Sequence, residues 1–255
     1  MKSYIISYCD RKYEWNLLSD FIPSLFNIAK FNGTLYILDY GLTKYCVKKL
    51  SKFENVVVKK CDKKRSVECN RNYDIFNALY DFPEASVIMS IDCGDVWFQD
   101  TFYEIFELCK DRIGYVEEQE KPEDERWWGK IIAGLDRVKY QYACSVLQGH
   151  NLSGSGMFIG PKQMMLELVG LIKYWTNWLS SDYFGIDQLA FNIALRTTSM
   201  KKISLPQTYD YVFITHKDEA SYENGIVYDL NHTPVKIAHN AGGRYRVIDR
   251  KKVIK

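Results

Sequence analysis

Between Ser86 and Phe98 the chain reads Ser-Val-Ile-Met-Ser-Ile-Asp-Cys-Gly-Asp-Val-Trp-Phe. An apolar run of the length of one buried strand ends in two carboxylates, Asp92 and Asp95, and a second apolar piece follows at once. Carboxylates at the tip of a core strand are costly to bury unless a cation or a hydrogen-bonded ligand compensates them. Open α/β sheets place their sites at the carboxyl ends of their strands. Asp92 and Asp95 are therefore candidate metal ligands at such an edge. The competing reading is a tight turn through Cys93-Gly94, since Asp favours turns.

The 255 residues suffice for a sizeable core and suit one α/β domain. A net charge of +2 gives no reason to expect nucleic acid as a partner. No apolar run has the length of a membrane span, and the N-terminus enters a strand directly without the pattern of a signal peptide. Seven cysteines without CxxC pairs point to reduced thiols in a cytoplasmic protein. The 19 tyrosines and 6 tryptophans offer flat faces that stack on sugars or bases, although core packing is their commoner use.

Strand and helix patterns alternate through the first half. Strands are predicted at Tyr4–Cys9, Thr34–Leu38, Asn55–Lys59 and Val87–Asp92. Helices are predicted at Trp15–Phe31, Thr43–Phe53 and Arg71–Tyr80. Continuous apolar strands between helices predict an α/β fold with a mostly parallel central sheet covered on both faces. Beyond Asp100 a helix is predicted at Phe102–Cys109 and a strand at Ile113–Val116. A charged, mobile Glu117–Arg126 follows, then a helical region over Trp127–Val146. A glycine-bounded strand at Gly154–Pro161 and helices at Lys162–Trp178 and Asp187–Leu195 complete the pattern. The expectation is one domain, with residues 1–100 as a nucleotide-binding half and 101–255 as a more variable half ending in a basic tail.

Four motifs occur in order: Asp92-Cys-Gly-Asp95, Asn151-Leu-Ser-Gly154-Ser155-Gly156-Met-Phe-Ile, Asp187-Gln188-Leu-Ala-Phe-Asn192, and Lys236-Ile-Ala-His239-Asn-Ala-Gly-Gly. Together they resemble the GT-A fold glycosyltransferases, in particular the metal-dependent, nucleotide-sugar-using enzymes of glycosyltransferase family 8. The resemblance spans most of the chain. It implies Mn2+ or Mg2+ held by Asp95 and His239. Asp92 is left to the metal, the ribose or a water, because two residues separate the acids where the family has one. It implies a sugar pocket lined by Asp187 and Gln188, with Asp187 also placed to cap its helix and Gln188 facing the anomeric carbon in retaining members. Asn151, Gly154, Ser155 and Gly156 correspond to a donor-binding loop, although the family's asparagine falls on Gly154. Tyr8, Asp10 and Asp39 lie where such enzymes hold base and ribose. Arg71 is similar to a basic residue that reaches the donor, with Lys63, Lys64 and Arg65 as alternatives.

The implied reaction is hexose transfer from a nucleoside diphosphate, most simply UDP, to a hydroxyl of a glycan or similar acceptor. Retaining and inverting courses both stay open, with Asp187 as the base for inversion. Other classes compete. A nucleotidyltransferase would want glycine in the loop Cys9–Trp15, which has none. A haloacid-type phosphatase would want singly spaced acids after an early strand. A carbohydrate-binding relic of the fold would rest on the altered acid spacing. The tail cations Arg244, Arg246, Arg250, Lys251, Lys252 and Lys255 are solvated, cover the diphosphate, or touch an anionic membrane surface.

Overall fold

Strand β1 (Lys2–Cys9) buries Ile5 on one face of a sheet and Ile6 on the other, as the two-residue period of a strand demands. A computed structural model describes residues 2–118, 134–180, 185–212, 221–223, 226–229 and 231–239. Most of the Glu117–Arg126 stretch, the first part of the Trp127–Val146 prediction and the whole basic tail lie outside the described residues.

β1 pairs in parallel with β2 (Thr34–Asp39) on one side and with β4 (Ser86–Ile91) on the other, while β3 (Val56–Lys60) adds to β2. β4 is buried throughout, as the apolar run predicts. Beyond it the sheet changes direction. β7 (Ser153–Pro161) runs antiparallel between β4 and β6 (Ile113–Glu117), and β8 (Lys202–Leu205) closes the far edge, giving the order β3-β2-β1-β4-β7-β6-β8. The Gly154–Pro161 prediction thus lengthens to nine residues at the centre of the sheet.

Helices cover both faces. One face carries α3 (Val67–Ala78), α5 (Arg137–Leu147), α6 (Lys162–Leu179) and α7 (Ile186–Thr197), packed on Ile6, Leu38, Ile88 and Phe158. The other carries α1 (residues 14–28), α2 (Lys44–Leu50) and α4 (Glu104–Leu108), packed on Ile5, Ile37, Met89 and Met157. α1 widens into π turns at Leu17–Phe21 and Ser24–Ile28, on either side of Pro23, whose missing N–H cannot serve a regular ladder. α2 and α3 begin where Thr43 Oγ1 and Ser66 Oγ accept backbone N–H bonds from Cys46 and Cys69.

β5 (Val96–Phe98) turns out of the main sheet. It pairs antiparallel with β12 (Ile237–His239), which pairs in parallel with β9 (Tyr211–Val212), forming a three-stranded sheet. A hairpin of β10 (Ser221–Glu223) and β11 (Ile226–Tyr228) stands beside it. The small sheet is tied to α1 by Ser24 Oγ, which accepts the Phe98 N–H at 3.0 Å, and by Asn16, whose amide donates to the Gly94 carbonyl. None of the seven cysteines forms a disulfide. No described helix is long and apolar enough to cross a membrane.

Phe98 is fully buried where the two sheets meet, its ring 5.3 Å from Phe21 and 5.0 Å from Phe102. Truncating a buried aromatic removes transfer energy and leaves a cavity, so Phe98→Ala is expected to cost about 3–5 kcal/mol. Urea denaturation followed by tryptophan fluorescence measures it.

Candidate active site

Three parallel strands in the order β2-β1-β4 deliver Asp39, Tyr8 with Asp10, and Asp92 to one sheet edge. The Asp92 N–H still continues the ladder, donating to the Gly156 carbonyl of β7 at 2.9 Å. Three residues later Asp95 immediately precedes β5, whose Val96 lies opposite His239 of β12. The chain therefore leaves the main sheet at one acid and enters the small sheet at the other. The cross-strand pairing then brings His239 to both. His239 Nε2 stands 3.4 Å from Asp95 Oδ1 and 3.8 Å from Asp92 Oδ2. One ligand atom from each of Asp92, Asp95 and His239 lies within 4.8 Å of the others.

Room for this cluster depends on Gly156. A Cβ there would sit 2.7 Å from His239 Cε1 and 3.5 Å from the Asp92 carboxyl carbon. An oxygen–oxygen–imidazole donor set suits Mn2+ or a similar divalent ion, and the cradle that a side chain would fill leaves these residues fitted to hold one.

Asp92 is anchored from behind. Its Oδ1 accepts from the Tyr8 hydroxyl and, at 2.8 Å, from Arg71 Nη1. Oδ2 is thereby turned toward His239. Arg71 is only 4% exposed. Its Nη2 donates to Asp187 Oδ2 at 2.5 Å and to Ser155 Oγ at 2.8 Å, and the guanidinium lies 4.6 Å from the centre of the Tyr8 ring. Ser155 Oγ in turn donates to Asp187 Oδ2. One guanidinium thus binds β4, β7 and α7 together through charge-assisted hydrogen bonds.

Burial pushes the Asp92 carboxyl up to about 7, against the pull of Arg71 and His239, with the charges of Asp95 and Asp210 adding to the rise. His239 moves up as well. Burial alone would lower it, but the carboxylates of Asp210 and Asp95 outweigh that and hold the imidazole well above its ordinary value.

The remaining predicted residues divide. Asp187 is buried but does not cap its helix. α7 starts at Ile186 with Gly185 in the N-cap position and no side-chain cap bond, so the carboxylate goes to Arg71 and Ser155 instead. Gln188 is buried, its Nε2 donating to Glu118 Oε1 at 3.0 Å and to the Ser153 carbonyl at 3.2 Å. Asn192 holds the β7 backbone, accepting from Ser153 N–H and donating to the Ser153 carbonyl, both at 2.8 Å. Asp39 accepts the N–H groups of Gly41 and Leu42, and Asp10 that of Lys12, so both order the loops at the strand ends. Gly154, Ser155 and Gly156 line the cluster. Asn151 does not reach it: the residue is exposed, and its carbonyl accepts from Arg196. Lys63, Lys64 and Arg65 are exposed, Lys63 standing 3.9 Å from Asp10, whereas Arg71 is buried and meets Asp92 and Asp187 directly.

Two residues here carry no sequence expectation. Asp210, just ahead of β9, sets its Oδ1 2.9 Å from His239 Nδ1 and is 3% exposed. Glu118 belongs by sequence to a charged, mobile stretch, yet it is buried at the end of β6 and bound to Gln188. The signal for Asp210 is the one that marks Asp95, an acid immediately before an apolar pair or triplet in a short strand.

No protein-family model and no curated protein matches the chain in sequence. Solved structures do match in shape. The galactosyltransferase LgtC, solved with donor and acceptor sugar analogs, superposes with a TM-score of 0.63 at 13% identity, covering 94% of this chain and 87% of that one. An active-site glutamine-to-glutamate variant of LgtC gives the same values. The bifunctional glycosyltransferase WbbM, in its apo form, gives 0.56 at 13% identity, with 94% of this chain spanning 46% of that one. These neighbours are glycosyltransferases, and the fold of this chain is the GT-A fold.

Removing Arg71 strands the buried carboxylate of Asp187 and the half-buried one of Asp92. Arg71→Met is expected to lower stability by about 3–5 kcal/mol, and Arg71→Met/Asp187→Leu to recover part of it in urea unfolding. Gly156→Ala tests the other half of the site. Because its methyl group meets the His239 ring, divalent-metal binding should fall by at least about tenfold while the far-UV circular dichroism is retained. Isothermal titration with Mn2+ reads the loss.

Proposed function

We propose that the protein is a metal-dependent glycosyltransferase that moves a hexose from a nucleoside-diphosphate sugar, UDP in the simplest case, to a hydroxyl of a glycan or similar acceptor. The observation that carries this is the convergence of Asp92, Asp95 and His239 at the carboxyl edge of a GT-A sheet, beside the Arg71–Asp187 pair. In LgtC the same fold accommodates donor and acceptor sugars.

Asp92, Asp95 and His239 would hold Mn2+ or Mg2+, which supplies positive charge against the charge that develops on a diphosphate leaving group. Asp39, Asp10 and Tyr8, on neighbouring strand ends, face the nucleoside. Arg71 fixes Asp187 at the start of α7, and the carboxylate in turn meets sugar hydroxyls. Gln188, whose amide is oriented by Glu118 and the Ser153 carbonyl, is the group set to face the reacting carbon. In a retaining course the departing phosphate takes the acceptor proton. In an inverting course a carboxylate must take it, and Asp187 is the candidate. Asp187 Oδ2 is already engaged by Arg71 and by the Ser155 hydroxyl, which favours the first. The extra residue between the acids, on which a non-catalytic relic would rest, is accommodated because β5 turns into a separate sheet.

The test is donor hydrolysis. The protein with Mn2+ is offered a panel of UDP- and GDP-sugars, and free nucleoside diphosphate is measured. Release from one donor is expected, abolished by chelation and reduced about 100-fold or more in Asp95→Ala and in His239→Ala. Silence across the panel, with no thermal shift from any nucleotide plus metal, would sink the transferase reading.

A further inference from the structure

We infer that Asp210 is a positioning residue for the metal site: it selects which nitrogen of His239 is offered to the ion and fixes the plane of the ring. The inference rests on the metal-site reading above. Of the carboxylates around His239 among the described residues, Asp95 and Asp92 face Nε2, at 3.4 and 3.8 Å, and Asp210 alone faces Nδ1, at 2.9 Å. An imidazole that donates Nδ1–H to Asp210 keeps its Nε2 lone pair for the cluster. The opposite tautomer would turn an N–H toward two acids that are to share a cation.

Asp210 is held as firmly as the ring it holds. Its side chain is 1% exposed, and its N–H donates to the Gln207 carbonyl at 3.0 Å. The next residue, Tyr211, pairs with Ala238 in the β9–β12 ladder, so the acid and the histidine ride on adjacent strands in fixed register. Gly154 borders it on the other side, where a Cβ would stand in ordinary contact 3.7 Å from Asp210 Oδ2. A histidine ligand whose second nitrogen is bonded to a carboxylate is both oriented and made a stronger donor, and loss of such a partner weakens metal binding about 10- to 100-fold.

The experiment uses the full chain and Mn2+ alone. Free Mn2+ is followed by its electron paramagnetic resonance signal. Bound Mn2+ is examined for the spin-echo modulation that a directly coordinated nitrogen produces. Asp210→Ala is expected to weaken Mn2+ by about 10- to 100-fold and to erase the nitrogen modulation. Asp210→Asn, which keeps an acceptor oxygen in place, is expected to restore the modulation and most of the affinity. A merely structural acid would not give that pattern. Should the alanine variant fail to fold, Asp210→Ser, polar but too short to reach Nδ1, takes its place with the same expectation. Wild-type protein that binds Mn2+ through nitrogen, with Asp210→Ala within twofold of it and equally modulated, overturns the role of Asp210 and leaves the metal site standing. Wild-type protein that binds no Mn2+, or binds it without nitrogen, removes the metal reading itself.

Discussion

The buried guanidinium of Arg71 is the interaction on which the site depends. It comes from α3, in the body of one helical layer, and it meets Asp92 at the end of β4, Ser155 in β7 and Asp187 in the first turn of α7. A charge this deep is tolerable only when its donors are matched, and here each terminal nitrogen has a carboxylate. The pairing also fixes the orientation of both acids. Asp92 has one oxygen tied to the framework and one turned to the cluster, and Asp187 is drawn away from the backbone of its own helix. The same contact therefore contributes to the join between sheet and helix and to the arrangement of the reactive groups.

The second half of the site is built by pairing in the small sheet. His239 sits on the middle strand, β12. β5 on one side brings Asp95, and β9 on the other brings Asp210. A short three-stranded sheet would be marginal alone. It is secured through the buried ring of Phe98, the Ser24 hydroxyl and the amide of Asn16. α1 is thus indirectly part of the active-site architecture. Its π turns around Pro23 accompany the placement of Ser24 against β5.

Most of this was legible in the sequence where apolar runs were long. β1, β2 and β4 announce themselves because both their faces are buried, and α6 because its apolar spacing persists for eighteen residues. Asp92, Asp95 and His239 were legible because each ends or begins an apolar strand. What escaped was short or non-local. β9 has two residues and gives no periodic signal, so Asp210 beside it went unread. Glu118 looked like part of a solvated charge run, yet burial against Gln188 depends on a residue 70 positions away. The capping role expected of Asp187 fitted its place in the chain, but a tertiary partner, Arg71, outcompeted the local backbone. The insertion between Asp92 and Asp95 could be counted in the sequence. That it is absorbed by a change of sheet, with Gly94 lying against the Tyr13 ring where no side chain would fit, could not.

The charge balance of the assembled site argues for a cation more strongly than any single motif. Asp92, Asp95, Asp187 and Asp210 gather around Arg71 and His239, each 2.5 to 3.8 Å from one of those two cations. With every acid ionised and His239 protonated, four negative charges meet two positive ones. Burial lifts the Asp92 carboxyl to about 7, with Asp95 and Asp210 adding to the rise, and the carboxylates of Asp210 and Asp95 hold the imidazole above its usual range. A divalent ion among Asp92, Asp95 and His239 would remove that deficit. It would also leave Arg71 where it already is, paired to Asp92 and Asp187.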